Sequence, residues 1–125
     1  MIGRFVLALA FATTMAARPA LADDVAGIWL RESGLSKVKL APCGGAICGN
    51  IVWIKAGVDT PAKVGQRLFF DMKPTGPNSW SGSVVNPDDG KTYPGKMSLS
   101  GGTLTTEGCA LGGMICRSSN WTRAN

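Results

Sequence analysis

Glycine-centred turn signals constrain this chain more than any other feature does. From Asp23 onward they fall at Ser33-Gly34, Gly45-Ala46, Pro74-Thr75-Gly76, Pro87-Asp88-Asp89-Gly90, Gly101-Gly102 and Gly112-Gly113. The short runs between them alternate apolar with polar residues, and no window carries the stripe of an amphipathic helix. The chain is therefore expected to be all-β. Eight strands are predicted, over residues 26–31, 36–42, 48–54, 67–73, 79–86, 91–99, 103–109 and 115–123. The longest connection, Lys55 to Gln66, has room for a short helix or a lid-like loop.

Each turn also sets a register. A two-residue turn at Gly45-Ala46, with Gly45 supplying the φ > 0 of a type II′ turn, places Cys43 opposite Cys48, Leu40 opposite Ile51 and Val38 opposite Trp53. Ser33-Gly34 places Trp29 opposite Val38, and the Pro87 turn pairs Val84 with Tyr93, Gly82 with Gly95 and Trp80 with Met97. Gly101-Gly102 pairs Leu99 with Leu104, and Gly112-Gly113 pairs Cys109 with Cys116 and Leu104 with Trp121. These registers agree on one inner face: Trp29, Val38, Leu40, Ile51, Trp53, Trp80, Val84, Tyr93, Met97, Leu99, Leu104 and Trp121. Leu68, Phe70 and Met72 join it if the Pro74-Thr75-Gly76 turn has three residues. A bulge in any strand would reverse the assignment beyond it. An eight-stranded antiparallel meander with one apolar face removes its edges by closing into an up-and-down barrel. A two-sheet sandwich is the alternative if the 55–66 connection crosses between sheets.

Residues 1–22 are set apart as a secretory signal peptide, because Arg4 precedes the apolar run Phe5 to Ala12 and the segment ends on the small-residue pattern Ala20-Leu21-Ala22. The run is shorter than the roughly 20 residues of a membrane span. Cleavage after Ala22 takes 22 of the 125 residues and leaves 103, a single domain over 23–125. A domain of that size gains from covalent staples. Export together with four cysteines and no histidine points to disulfides, and the registers above favour Cys43–Cys48 and Cys109–Cys116. Each would be worth about 2–2.5 kcal/mol in the chain-entropy account. Localisation is expected to be periplasmic or secreted.

Charge and chemistry exclude several classes. Without Arg4 and Arg18, the 13 Lys and Arg fall to 11 against 8 Asp and Glu, and the net of +3 is spread singly rather than in a nucleic-acid-binding patch. Lacking histidine, the chain has no usual base for a Ser or Cys nucleophile. Asp88 and Asp89 read as turn residues, and Asp59 and Asp71 as surface partners of Lys63 and Arg67. The cysteine spacings fall outside those of zinc sites, so no metal and no cofactor is expected.

Gly27-Ile28-Trp29 on the first strand and Trp121-Thr122-Arg123 on the last become neighbours in a closed barrel, where the Arg123 guanidinium could lie over an indole. The pattern resembles the calycin signature, with Gly27, Trp29, Trp121 and Arg123 as structural residues. Over most of the chain, Gly27-Ile-Trp-Leu, Cys43-Gly-Gly-Ala-Ile-Cys48-Gly49-Asn-Ile-Val-Trp53, Trp80-Ser-Gly, Asn86-Pro-Asp-Asp-Gly90-Lys-Thr-Tyr93 and Trp121-Thr-Arg123 resemble the bacterial family called domain of unknown function 2147. The resemblance implies an exported lipocalin-like barrel without assigned catalytic residues. One stretch departs from it. Many members carry Asn-Pro and an Arg-x-Arg-Pro-Leu-type segment after the tryptophan, where this chain has Asp59-Thr-Pro61 and Gln66-Arg67-Leu68-Phe69.

The inner aromatics Trp53, Phe70, Trp80 and Tyr93 either fill the barrel or line a pocket for a small hydrophobic or amphipathic ligand. The expectation taken forward is a non-enzymatic binding barrel. The alternative is an envelope interaction module that presents the disulfide-stapled hairpin tips to another protein.

Overall fold

Residues 21–124 are described in a computed structural model. The leader assigned to residues 1–22 lies, up to residue 20, outside the described residues. A one-turn helix α1 (Ala22–Val25) leads into β1 (Gly27–Arg31), β2 (Ser36–Cys43), β3 (Ala46–Ile54), β4 (Arg67–Gly76), β5 (Ser79–Val85), β6 (Thr92–Ser100), β7 (Thr103–Ala110) and β8 (Ile115–Arg123). The strands pair in sequence order, and β1 also pairs with β8, giving a closed antiparallel barrel rather than a sandwich. Four connections, 32–35, 55–66, 86–91 and 111–114, therefore gather at one end. The turns at 44–45, 77–78 and 101–102 lie at the other, together with α1.

Closure rests on the seam between β1 and β8. Trp29 faces Arg123 and Arg31 faces Trp121, so the two strands exchange a pair of Trp–Arg contacts. The Arg123 guanidinium carbon sits 4.4 Å from the Trp29 ring centroid, and its nitrogens donate to the carbonyls of Ala26 at 2.7 Å and Asp24 at 2.6 Å. The Trp29 indole is fully buried and donates to the Val25 carbonyl at 2.9 Å. This one side chain thus ties the last strand to the first and holds α1 against the barrel end. Gly27 begins β1 at φ 129°, where a side chain would be strained, which explains the glycine two residues before Trp29.

The registers set by Ser33-Gly34, Pro87 to Gly90, Gly101-Gly102 and Gly112-Gly113 are those read from the sequence. Both disulfides form as expected, Cys43–Cys48 and Cys109–Cys116. The β2–β3 turn requires a correction. It is Gly44-Gly45, with φ of 61° and 81°, so Cys43 faces Ala46 and Cys48 faces Ala41. Positive φ at both central residues is the type I′ geometry, whose twist matches the strands it joins. The cysteines bridge diagonally across a Cα separation of 5.9 Å.

Two irregularities overturn further assignments. The register slips between Lys37 and Val38, so Val38 pairs with Ile51 but Lys37 with Trp53. Val52 is the extra residue, and Trp53 consequently lies on the outer wall, 38% exposed, with the Lys37 ammonium 5.0 Å from its ring centroid. In β4 the turn is Pro77-Asn78 rather than Pro74-Thr75-Gly76, with Asn78 at φ 76°. A bulge at Asp71, φ 53°, then changes parity within the strand. Phe69 and Met72 are buried as a result, and Phe70 turns outward beneath the Arg67 guanidinium at 5.9 Å.

The Asp71 bulge is seated on Gly82. A Cβ there would stand 2.3 Å from the Asp71 carbonyl oxygen and 2.8 Å from the Met72 nitrogen, backbone atoms that cannot rotate away. Gly82→Ala is expected to cost on the order of 3 kcal/mol, whereas Gly102→Ala, with nothing within 4 Å, should be nearly neutral. Equal urea midpoints for the two variants would contradict this account of the bulge. Arg123→Gln should lower stability by about 1–2 kcal/mol in the same assay, and Arg123→Lys should restore only part, because lysine lacks the planar fork that reaches both carbonyls.

Candidate functional site

The barrel interior is divided along its axis. Towards α1 it is filled by large side chains, among them Trp29, Leu40, Ile47, Met72, Trp80 and Met97, all at 2% exposure or less. Towards the other end it is hollow, enclosing a cavity of about 570 Å³. Packed core and pocket, alternatives at the level of sequence, each occupy one half.

Period-two alternation explains the change. Along β8 the inward positions run from Trp121 to Ser119, Arg117 and Ile115, and on β7 from Leu104 to Thr106, Gly108 and Ala110. Ser36 and Ile54 face each other on β2 and β3. Small and polar residues thus replace the bulky ones in the half nearer the mouth. The floor is apolar, formed by Ile51, Leu68, Phe69 and Trp121, with the Phe69 and Trp121 rings edge to face at 6.2 Å. Trp121 satisfies its indole N–H by donating to the buried Thr106 hydroxyl at 2.9 Å.

The mouth is polar. Arg31 lies 5.9 Å from the Trp121 ring centroid and donates through Nη2 to the Ser119 hydroxyl at 3.1 Å. Val58, Asp59, Thr60 and Ala62 of the 55–66 connection line the cavity. Both ends of that connection are tied down: Lys55 donates to the Leu35 carbonyl at 2.8 Å, and Gly65 to that of Ile51 at 2.7 Å.

Opposite them stands the 86–91 turn, where Tyr93 donates its phenol proton to the Asp89 carboxylate. That bond, with the Lys91 amide at 2.8 Å, holds Asp89 below the usual carboxylate range. Asp89 in return raises Tyr93 above the usual phenol range, and the Arg117 charge pulls the other way.

Of the four aromatics proposed from sequence as ligand contacts, only Tyr93 lines the cavity. Trp53 and Phe70 stand on the outer wall for the reasons given above. Trp80 is 1% exposed within the packed half, its indole N–H without a partner among the described residues. Phe69, Trp121, Arg31 and Arg117 take the places those aromatics were assigned. The signal for the last two was present, since continuing the inward parity of Trp29 along β1 reaches Arg31 and that of Trp121 along β8 reaches Ser119 and Arg117. Glu107, Cys109 and Cys116 bring three ligand-type atoms within 4.8 Å, but both sulfurs belong to the disulfide and offer no thiolate.

A family model described as "Uncharacterized protein conserved in bacteria (DUF2147)" matches residues 27–123, from the glycine that opens β1 to the arginine that closes β8. The chain belongs to this family. Among solved structures it is similar to a protein described as "Protein HP1028 from the human pathogen Helicobacter pylori belongs to the lipocalin family", with a TM-score of 0.66 over 81% of this chain and 83% of that one. At 17% identity the likeness establishes the fold, and this DUF2147 barrel is lipocalin-like. No curated protein matches the chain. Among the described residues, no helix is long and apolar enough to cross a membrane.

The Tyr93–Asp89 bond needs a protonated phenol and an ionised carboxylate. Because the Asp89 pKa is depressed, its stabilisation is present above the ordinary carboxylate value near ~4 and is lost as pH falls through the depressed one. Because that of Tyr93 is raised, its share is present below ~10 and is lost as pH rises through the raised value. An NMR titration of the Asp89 carboxyl carbon should therefore show a midpoint below ~3.9 that moves upward in Tyr93→Phe. A midpoint indifferent to the substitution would remove Tyr93 as its cause.

Proposed function

We propose that this protein is an exported, non-enzymatic binding barrel that holds a small hydrophobic or amphipathic molecule in the open half of its interior. The observation that carries this reading is the cavity of about 570 Å³, within the range of small-molecule sites, with an apolar floor and a polar rim. The lipocalin-like fold supports it by analogy. Two disulfides and membership of a bacterial family fit an oxidising compartment outside the cytoplasm, in keeping with the leader proposed over residues 1–22. A binding role rather than catalysis is favoured because the chain has no histidine and all four cysteines are paired.

The interaction-module reading keeps one specific support. Leu111 and Met114 at the β7–β8 tip are 69% and 84% exposed beside the Cys109–Cys116 bridge. The other stapled tip presents little, since Ala46 and Ile47 are 6% and 2% exposed, and it lies at the opposite end of the barrel.

Native mass spectrometry of protein purified from the envelope should show a copurifying small molecule. The neutral fluorophore N-phenyl-1-naphthylamine should bind with enhanced emission. Ser36→Phe, which places a ring inside the cavity, should weaken that binding at least about tenfold, and Trp53→Phe on the outer wall should leave it unchanged. No copurifying molecule together with no fluorophore binding would defeat the proposal.

A further inference from the structure

We infer that the cavity selects single-chain amphiphiles with an anionic head, carboxylate or phosphate, by seating the head between Arg31 and Arg117 and the chain against Trp121 and Phe69. The inference rests on the binding function proposed above and adds the chemistry of the ligand. It starts from two guanidinium groups, on exposed residues, at the polar rim of a chamber with an apolar floor. Neither has a carboxylate within ion-pair distance among the described residues. Arg31 uses one of its five N–H donors on Ser119 and lies above the Trp121 ring, at the level where floor meets rim. Its remaining donors have no partner among the described residues.

Arg117 is the next inward position on β8 beyond Ser119, so the two inward positions on that strand are about 7 Å apart. A single carboxylate or phosphate head can therefore accept from both arginines. Charge-assisted bonds of this kind are about twice as strong as neutral ones, and the guanidinium fork suits both acids.

Four acidic residues also line the cavity. Asp59 comes from the 55–66 connection, Asp88 and Asp89 from the 86–91 turn and Glu107 from β7, and the Asp89 carboxylate is occupied by Tyr93 and Lys91. Strands β8 and β1 thus supply both guanidiniums, and the carboxylates come from β7 and the two connections. The two guanidiniums without a carboxylate partner set the sign of the head, and the apolar floor sets the direction of the chain.

Isothermal titration of the full mature chain with decanoate, decyl phosphate, decanol and decylamine tests this. At least one of the two acids should bind about tenfold tighter than decanol, with decylamine no tighter than decanol, and the preference should shrink as salt is raised. The tighter acid identifies the head group. In Arg117→Gln, and in Arg31→Gln where that variant folds, the ratio of acid to alcohol affinity should fall towards one. Lys37→Gln on the outer wall should leave the ratio as it is. Decanol binding as tightly as both acids, or a preference that survives Arg117→Gln and high salt, overturns the inference and leaves the binding barrel standing. If none of the four binds while N-phenyl-1-naphthylamine does, the inference falls and the binding barrel stands; if the fluorophore fails too and nothing copurifies, both fall.

Discussion

The pairing of β1 with β8 is the constraint on which the rest of the structure depends. An open eight-stranded meander would leave two rows of unpaired backbone groups, and closure removes both. The crossed pairs Trp29 with Arg123 and Arg31 with Trp121 give that seam a side-chain lock as well as a hydrogen-bond ladder. Arg123 goes further and binds two carbonyls of the chain leading into β1, so one end of the barrel is covered. A barrel closed at one end has a single way in. The same seam therefore makes the interior separate from solvent and decides from which side it is reached.

Along the axis, the interior passes from packing to space. Trp121 marks the boundary: Phe69 meets its edge, Thr106 satisfies its N–H and Arg31 lies over its face. Towards α1, large side chains leave no room. Towards the mouth, Ser36, Gly108 and Ser119 occupy inward positions, and the volume they do not fill becomes the cavity. Packed core and cavity are thus allotted to different halves of one sheet. The packed half adjoins Trp121, and the connections at the mouth line the cavity.

Much of the fold was legible because turn chemistry is local. Ser33-Gly34, the Pro87 turn, Gly101-Gly102 and Gly112-Gly113 each specify a register from a few residues, and each register holds in the structure. The candidate site was less legible. Trp53 and Phe70 were placed inside by unbroken alternation, and a single extra residue near Val52 and another at Asp71 sent them outward. Bulges of that kind have no dependable signature. The one at Asp71 exists because Gly82, on the neighbouring strand, leaves room for its carbonyl. Arg31 and Arg117 had the correct parity but were passed over, since a search for a core looks for apolar residues.

By itself, the sequence determined the architecture: eight strands, two disulfides, and a glycine, tryptophan and arginine that bring the chain ends together. Those properties follow from contacts between residues whose order and spacing are written in the chain. Only the tertiary structure decided which half of the interior is empty and which aromatics look into it. Cavity volume is what remains after eight strands have packed against one another, and it depends on bulges stabilised by residues on neighbouring strands. A short stretch of sequence cannot carry that information, because no local interaction determines it.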